Sequence, residues 1–526
     1  MKSFISFLIL IFCLLSINNL SGSEFLVYGS RALGIGGAYT AISENAESGY
    51  WNPAGLGAQR TGFDFYLPFG AGVVFTGNIL ENANNIAELS DKFEKIEKAQ
   101  KTGGTIDVSQ FAAITTAMKN IKDIGSEGKG AIVNTVGGIG IRIGRYTFAV
   151  NNYTYVGIKP YTDFNFWLGS STASGTTALS SLIRPQGSGF EGIVIDTTTV
   201  DTTTVTPEST ELATDVIPWL KDSLSKAGVE IPSGISDQEL ANALVNAAIA
   251  NGVSTSEIQN AIKTIKDNKE LIINLLSNAN SSNPFANNQS NLTLRGINIT
   301  EISLSSSRNL LIDDLYIGAS LKILIGNVGY YRKNVFEEET ELQDTISDLT
   351  KKYTKQSIQP AVDLGIMFDK RKSFLRSKFG IVAKNINKPK FDLPDEAKKY
   401  NEEEIYLEPQ IRAGVAFYPL NFWSISSDVD LTDNPTLIPG YKQKIWALGT
   451  EINIINKSYL NLPLRFGIMK NIEKESNLTY TGGFGLNILH FVFDLAGSMS
   501  SESTKVNKDL SIPSDASLQL SISLNF

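Results

Sequence analysis

The last nine residues, Leu518-Gln519-Leu520-Ser521-Ile522-Ser523-Leu524-Asn525-Phe526, alternate apolar and polar without a break. Successive side chains on a strand point to opposite faces, so this segment has one greasy face and one wet face. A bilayer-spanning strand needs about 9–11 residues. Bacterial outer-membrane barrels alternate in this way, with apolar side chains toward lipid and polar ones toward the lumen. The last strand of a soluble sandwich has the same local pattern. The segment therefore restricts the fold to these two classes without choosing between them.

The other end of the chain narrows the choice. Met1-Lys2 is a short basic start, Phe4 to Leu15 is an apolar run, and Ser21-Gly22-Ser23 offers small residues for cleavage. This is the layout of a secretory signal peptide over residues 1–23, and its apolar run is short of the ~20 residues that a spanning helix needs. Cys13, the single cysteine, falls inside it behind Phe12, where a lipoprotein signal needs a small residue. The exported chain is expected to hold no cysteine, hence neither a disulfide nor a thiolate site. No later run of about 18 apolar residues suggests a membrane helix. Mean hydropathy is −0.04 despite 27 Phe and 18 Tyr. A membrane barrel has such an average because half of every strand is polar.

Strand patterns begin with Phe63, Phe65 and Leu67, then Val73 and Phe75. Residues 132–143 and 146–156 flank Gly144-Arg145, a hairpin turn signal. Tyr161, Phe164 and Phe166-Trp167 suggest a further strand. Residues 171–208 are rich in Ser, Thr and Gly and read as a surface loop. Residues 209–280 read as helical, with Ser236/Glu239 and Ser254/Glu257 at capping-box spacing. Ile258, Ile262, Ile265, Leu271, Ile272 and Leu275 form an apolar stripe there. Helices are also expected at 79–99, 107–123 and 337–352. Mutual packing into a small cap is the preferred role for the stripes, over lying on a membrane surface. Strand patterns resume at 290–306, 315–329, 359–368, 376–385, 407–418, 422–431, 443–455, 462–470, 479–488 and 491–500. Asp369-Lys370-Arg371-Lys372 and Pro419-Leu420-Asn421 are among the turn signals between them. With the ends included the tally is about 14, and an even number is expected if both ends face the periplasm.

Catalytic chemistry is poorly provided for. One histidine, His490, stands before Phe491 at a turn, which is poor material for a general base or a metal cluster. Gly34-Ile35-Gly36-Gly37 lacks the spacing and the Lys-Ser/Thr of a phosphate-binding loop. Asp428 and Asp430 share one strand face; such pairs can bind cations or do acid/base work, but a solvated pair facing a wet lumen is the preferred reading. The expectation is a protein that is not an enzyme, with no cofactor and no metal site. A net charge of −8 gives no reason to expect a nucleic-acid partner.

Residues 24–60 are glycine-rich and non-periodic. The run Arg31-Ala32-Leu33-Gly34-Ile35-Gly36-Gly37-Ala38 is followed by Trp51-Asn52-Pro53-Ala54-Gly55-Leu56. Its glycines permit tight backbone paths, and Asn52-Pro53 fixes a turn. These two runs resemble the start of the FadL-like outer-membrane proteins, which include long-chain fatty-acid and hydrocarbon transporters and PorV-type proteins. The resemblance implies a hatch motif, carried here by Gly34, Gly36, Gly37, Asn52, Pro53, Ala54 and Gly55, inside a barrel of about 14 strands. A second set of runs resembles the barrel-type proteins called conjugal transfer protein TraF. It comprises Thr300-Glu301 with Ser307-Arg308, Gly318 to Lys322, Asp363-Leu364-Gly365 and Ala383-Lys384-Asn385 with Pro389. It continues with Pro409 to Gly414, Asp428 to Thr432, and Ala447 to Glu451. That likeness touches residues 25–60 and 290–500 and leaves 170–290 unmatched. It assigns no ligand to Asp428, Asp430 or Glu451. The end of the chain, through Leu518, Leu520, Ile522, Leu524 and Phe526, resembles a barrel assembly signal.

The expected architecture is an all-β transmembrane antiparallel barrel in the bacterial outer membrane. It has a signal peptide (1–23), a hatch (24–60) and a barrel (61–526) with helical insertions at about 79–125, 209–280 and 337–352. Phe526 should lie at the periplasmic rim, its strand pairing with the first. The resemblance implies passage of small hydrophobic molecules past a hatch. The alternative is a scaffold for conjugation or secretion that takes a protein partner through its helical insertions. Membrane lipid and the barrel assembly machinery are the remaining expected partners. An apolar cavity behind the hatch would favour transport, and a packed polar lumen the scaffold.

Overall fold

The computed structural model describes residues 24–58, 61–82, 107–162, 201–226, 233–277, 290–310, 313–334, 352–473, 478–506 and 510–526. The signal peptide with Cys13, most of the helix expected at 79–99, residues 164–167, most of the loop at 171–208, and nearly all of the helix expected at 337–352 lie outside them.

Fourteen strands close into one antiparallel barrel. The first seven are β1 (Phe63–Thr76), β2 (Gly130–Ile143), β3 (Tyr146–Tyr161), β4 (Asn291–Asn309), β5 (Leu315–Asn334), β6 (Thr354–Lys370) and β7 (Ser377–Lys384). The others are β8 (Gln410–Leu420), β9 (Trp423–Asp430), β10 (Ile445–Asn456), β11 (Leu460–Asn471), β12 (Thr479–Ile488), β13 (Phe491–Ser500) and β14 (Asp515–Asn525). Each pairs with its neighbours in sequence, and β14 returns to β1 with Phe65 opposite Leu524 and Phe69 opposite Leu520. Past the last pair, the Phe526 N–H donates to the Phe63 carbonyl at 2.8 Å, and the Phe63 N–H donates back at 3.1 Å. No strand edge is left open, as a bilayer requires.

The polarity of the wall is inverted relative to a soluble sheet. In β14, Gln519, Ser521 and Ser523 are buried, whereas Leu518 is 61% and Ile522 38% exposed. Phe148, Leu304, Leu321, Phe379, Phe466 and Met499 are likewise exposed on the outside. Short turns at the Phe526 end, among them Gly144-Arg145, Asn421-Phe422 and Leu489-His490, contrast with long connections at the other end. Gly144 takes a positive φ of 58°, which this tight hairpin demands. An apolar exterior, a polar interior, an even strand number and short turns at one rim are the properties of bacterial outer-membrane barrels, and this protein is one. By the rule for such barrels, in which short turns face the periplasm and long connections the outside, the Phe526 end is called periplasmic and the helical end exterior.

Residues 24–58 run inside the barrel and carry two short helices, α1 (Ser30–Gly34) and α2 (Ser48–Trp51), and a 3-10 turn over Pro53–Gly57. The exterior helices are α3 (Val108–Gly125) after β1, then α4 (Pro207–Asp215), α5 (Ile217–Lys226), α6 (Asp237–Ala250), α7 (Thr255–Asp267) and α8 (Lys269–Ser277) between β3 and β4. Both expected capping boxes form. The Ser236 N–H donates to Glu239 at 2.8 Å, and the Ser254 N–H to Glu257 at 2.9 Å. Ile258, Ile262, Ile265 and Ile272 are buried against Leu212, Leu220, Leu240, Val245 and, from α3, Val108. The stripes thus pack on one another. Asn251 binds the α3 cap residue Asp107 at 2.9 Å and joins the two insertions.

Candidate functional site in the barrel lumen

The two expected motif runs of the luminal segment have separate local reasons. Gly36 and Gly37 follow α1 at φ 68° and 77°, a consecutive left-handed pair that reverses the chain and that side chains would strain. Asn52 sits just before Pro53, and its Oδ1 accepts the Ala54 N–H at 3.1 Å, an N-terminal cap with proline at the first position. Its Nδ2 donates to the carbonyls of Thr40 and of Ile366 on β6, both at 3.2 Å. One amide therefore closes the turn, ties it to the rest of the segment and fastens it to the wall. Ala54 and Gly55 are wholly or nearly buried in that turn, and Gly34 ends α1 with its carbonyl accepting from Thr481 at 3.2 Å.

The wall supplies charged latches. Asp428 Oδ2 accepts the backbone N–H groups of Tyr39 at 3.0 Å and Thr40 at 2.8 Å. Arg31 forks onto Glu451 through two bonds of 2.9 Å, and Glu451 also holds Arg465 at 2.6 Å. Arg465 reaches on to Asp494 at 2.5 Å. Glu44 meets Lys378 at 2.8 Å and Arg371 at 2.6 Å. Bidentate and charge-assisted bonds of this kind are about twice as strong as neutral ones.

The expectation that Asp428 and Asp430 form a solvated pair fails. Both are buried, Asp428 under the luminal segment and Asp430 among Arg412, Asn434 and the Ile445 N–H. They also have different partners: Asp430 binds Arg412 at 2.6 Å, while Asp428 holds backbone. Among the described residues no group of three or more His, Cys, Asp and Glu could hold a metal ion. His490 is far from the lumen in role: it lies exposed at the rim, its ring stacked on Phe526 at 4.3 Å.

Residues to which the sequence assigned no role complete the site. Lys322 bridges Glu301 at 3.3 Å and Asp363 at 2.8 Å across β4, β5 and β6. Lys384 places its ammonium 3.2 Å from the centre of the Tyr50 ring, and Arg412 lies 3.9 Å from that of Phe25. These rings belong to an aromatic cluster of Phe25, Tyr28, Tyr39, Tyr50 and Trp51, with Tyr28 stacked on Tyr50 at 4.6 Å. Buried cations over aromatic faces contribute about 2 kcal/mol each. The available signal was phase: all these charges fall on the polar face of their strands.

Above the cluster, toward the exterior, the lumen changes character. Ile297, Ile299, Leu324 and Val328 on the wall join Phe391, Leu393, Ile405 and Leu407 from the β7–β8 connection in one apolar body continuous with the aromatic cluster. Phe391 rests against Gly326, where any side chain on β5 would overlap its ring. Glu402 on Arg295, at 2.8 Å to Nε, and Arg332 over the Tyr400 ring at 4.1 Å hold the connection in place. At the Phe526 end a cavity of about 240 Å³ is lined instead by polar groups, including Arg31, Glu47, Glu451, Arg465 and Asp494. The lumen is thus polar and packed at the level of the plug-like segment, and one apolar body lies between that segment and the exterior mouth.

The fold and the lumen define a class, a transmembrane barrel occupied by its own N-terminal segment. Residues 210–430 match the family model described as F plasmid transfer operon, TraF, protein. That stretch spans the helices from α4 onward, which the sequence motifs had left unmatched, and ends on Asp430 of β9. Among solved structures, the chain aligns with the CymD monoaromatic hydrocarbon channel at TM-score 0.42 and 10% identity, covering 97% of this chain and 98% of that one. The Pseudomonas putida toluene transporter TodX aligns at 0.41 and 9%, covering 97% and 99%. A Pseudomonas aeruginosa FadL homologue aligns at 0.38 and 9%, also covering 97% and 99%. No curated protein matches the chain by sequence.

Proposed function

We propose that this protein is an outer-membrane channel for small hydrophobic molecules in which residues 24–58 act as the hatch. The observation that carries the reading is the apolar body inside the barrel. A lumen wholly concerned with holding a plug would have no need of Ile297, Leu324 and Val328 on its wall, with the phenyl ring of Phe391, from a short strand of the β7–β8 connection paired with residues 404–406, seated among them. A hydrophobic molecule entering from outside would take the place of Phe391 and Leu393 and arrive at the aromatic face of the hatch. Magnitudes indicate which latch yields first. Breaking a fully buried pair costs about 3–5 kcal/mol, whereas a part-exposed pair costs far less. Arg412–Asp430 is buried and joins wall to wall, so it can stay closed. Arg31 is 30% exposed and joins hatch to wall, so its bond to Glu451 is the one to give.

Cells carrying the protein should take up labelled long-chain fatty acids and alkanes faster than cells lacking it, and Phe391→Ala should raise uptake further. Equal uptake with and without the protein would sink the reading. The packed polar layer at the hatch favours a second reading, a scaffold that presents its exterior helices to a partner. Deletion of residues 209–280 separates the two. A scaffold loses its partner in detergent pull-downs, while a channel keeps its uptake.

A further inference from the structure

The turn between β6 and β7 is unlike the other periplasmic turns. It is the longest of them among the described residues, running over 371–376, and its tip carries two bulky apolar side chains in succession. Phe374 is 99% exposed, the most exposed large hydrophobic residue among those described, and Leu375 beside it is 65% exposed. Among the described residues nothing covers Phe374. Water is a poor solvent for such a pair, since apolar surface left in water forgoes the gain of burial.

The charged side chains of the turn itself are of one sign. The run Lys370-Arg371-Lys372-Ser373-Phe374-Leu375-Arg376-Ser377-Lys378 contains no acid, in a chain whose net charge is −8. Its cations divide into two groups. Lys378 and Arg371 turn inward to Glu44, and Arg371 also binds Asp369. Lys370 shares the half-exposed Asp314 at 3.1 Å, and Arg376 donates to the amide oxygen of Asn421 at 2.5 Å. Lys372 is exposed and has no ion pair among the described residues. Lys372 and Arg376 therefore flank Phe374 and Leu375 with positive charge that no carboxylate among the described residues neutralises.

The height of the turn identifies what it meets. Ala361, Asp363 and Met367 of β6 are buried while Leu364 is exposed, so the even-numbered residues face lipid. Phe368 is on that face, and the Lys370 ammonium lies 4.7 Å from its ring centre. On β7 the lipid-facing aromatic is Phe379. Both rings stand three residues from the turn, about 10 Å at the rise of a strand. The turn thus begins where the apolar band ends. Aromatic and aliphatic tips flanked by Lys and Arg at that level are the elements that bind anionic lipid surfaces.

We propose that residues 372–376 form a binding site for anionic phospholipid of the periplasmic leaflet, with Phe374 and Leu375 inserted among the acyl chains and Lys372 and Arg376 on the headgroup phosphate. The site is independent of what the barrel conducts.

The test is Phe374→Trp in the full-length protein, folded into vesicles containing brominated-chain lipid. Its added emission is read as the difference from the parent, which has 5 Trp. Phe374 is 99% exposed, so the variant is expected to fold, which heat-modifiable migration checks. Brominated phosphatidylglycerol should quench the added emission several-fold more than brominated phosphatidylcholine. Adding Lys372→Glu should lower that preference by roughly fivefold or more, the effect of one cation near such a surface, while leaving residual quenching by phosphatidylcholine. Solvent-like emission without quenching overturns the proposal. Equal quenching by both lipids overturns it too, as does emission that changes only on addition of a periplasmic protein extract.

Discussion

The barrel and the exterior helical unit bury opposite kinds of residue. In the wall the hidden side chains are Glu301, Lys322, Asp363, Arg412 and Asp428, and the exposed ones are Phe148, Leu321 and Phe466. In the helical unit the hidden ones are Leu240, Val245, Ile258 and Ile262. Charged residues such as Lys266 lie on its surface, bridging Glu211 at 2.9 Å and Asp215 at 2.6 Å. The same chain obeys one rule in both places: apolar surface goes where water is not. For the helices that is the middle, and for the barrel it is the outside. The interior of the barrel must then be filled by something polar enough to satisfy the wall, and residues 24–58 do this with backbone amides, Arg31, Glu44 and Asn52. Buried charge is tolerated there because nearly every member has a partner.

The contrast can be broken most severely at Arg412. Arg412→Met should leave the Asp430 carboxylate buried without its cation and lower the urea resistance of the folded barrel by about 3–5 kcal/mol. Arg412→Met with Asp430→Leu should recover most of that loss, since an apolar pair of similar volume replaces the ion pair. If the double variant is no better than the single, the arginine acts chiefly through the Phe25 ring. Leu240→Ala, in the helical core, should cost about 2–5 kcal/mol. Limited proteolysis should then cut the helices while the heat-modifiable barrel band persists. Loss of both together would show that the two regions are one cooperative unit. Leu520→Arg, on the lipid face of β14, should cost about 2–4 kcal/mol and reduce folding into vesicles. A similar change at the half-exposed Ile249 of α6 should stay within about 0.5 kcal/mol. A modest loss is expected for Ser254→Ala, which removes a helix cap worth about 1 kcal/mol and should be seen only in the melting of the helical unit.

Much of this was legible in the sequence because it depends on short-range order. Period-two alternation locates the strands, and Gly144-Arg145 locates a hairpin. Ser236/Glu239 and Ser254/Glu257 mark helix starts whose caps form as written. The Asn52-Pro53 turn also closes on atoms two residues away. The roles of Asp428 and Glu451 were not legible, although both stood in recognisable runs. Glu451 meets Arg31 across 420 residues, and a carboxylate on a strand face looks the same whether it meets water or a backbone amide. The filling of the mouth by Phe391 was equally hidden, since its seat is the missing side chain of Gly326 on another strand.

The alternation through Phe526 by itself determined that one face of each strand would be apolar and the other polar, because side-chain direction is a property of the local backbone. Closure decided which face meets lipid and which is buried. Only the tertiary structure determined that the polar interior is filled by residues 24–58, because the partners of the luminal charges come from segments hundreds of residues apart, brought together by the barrel.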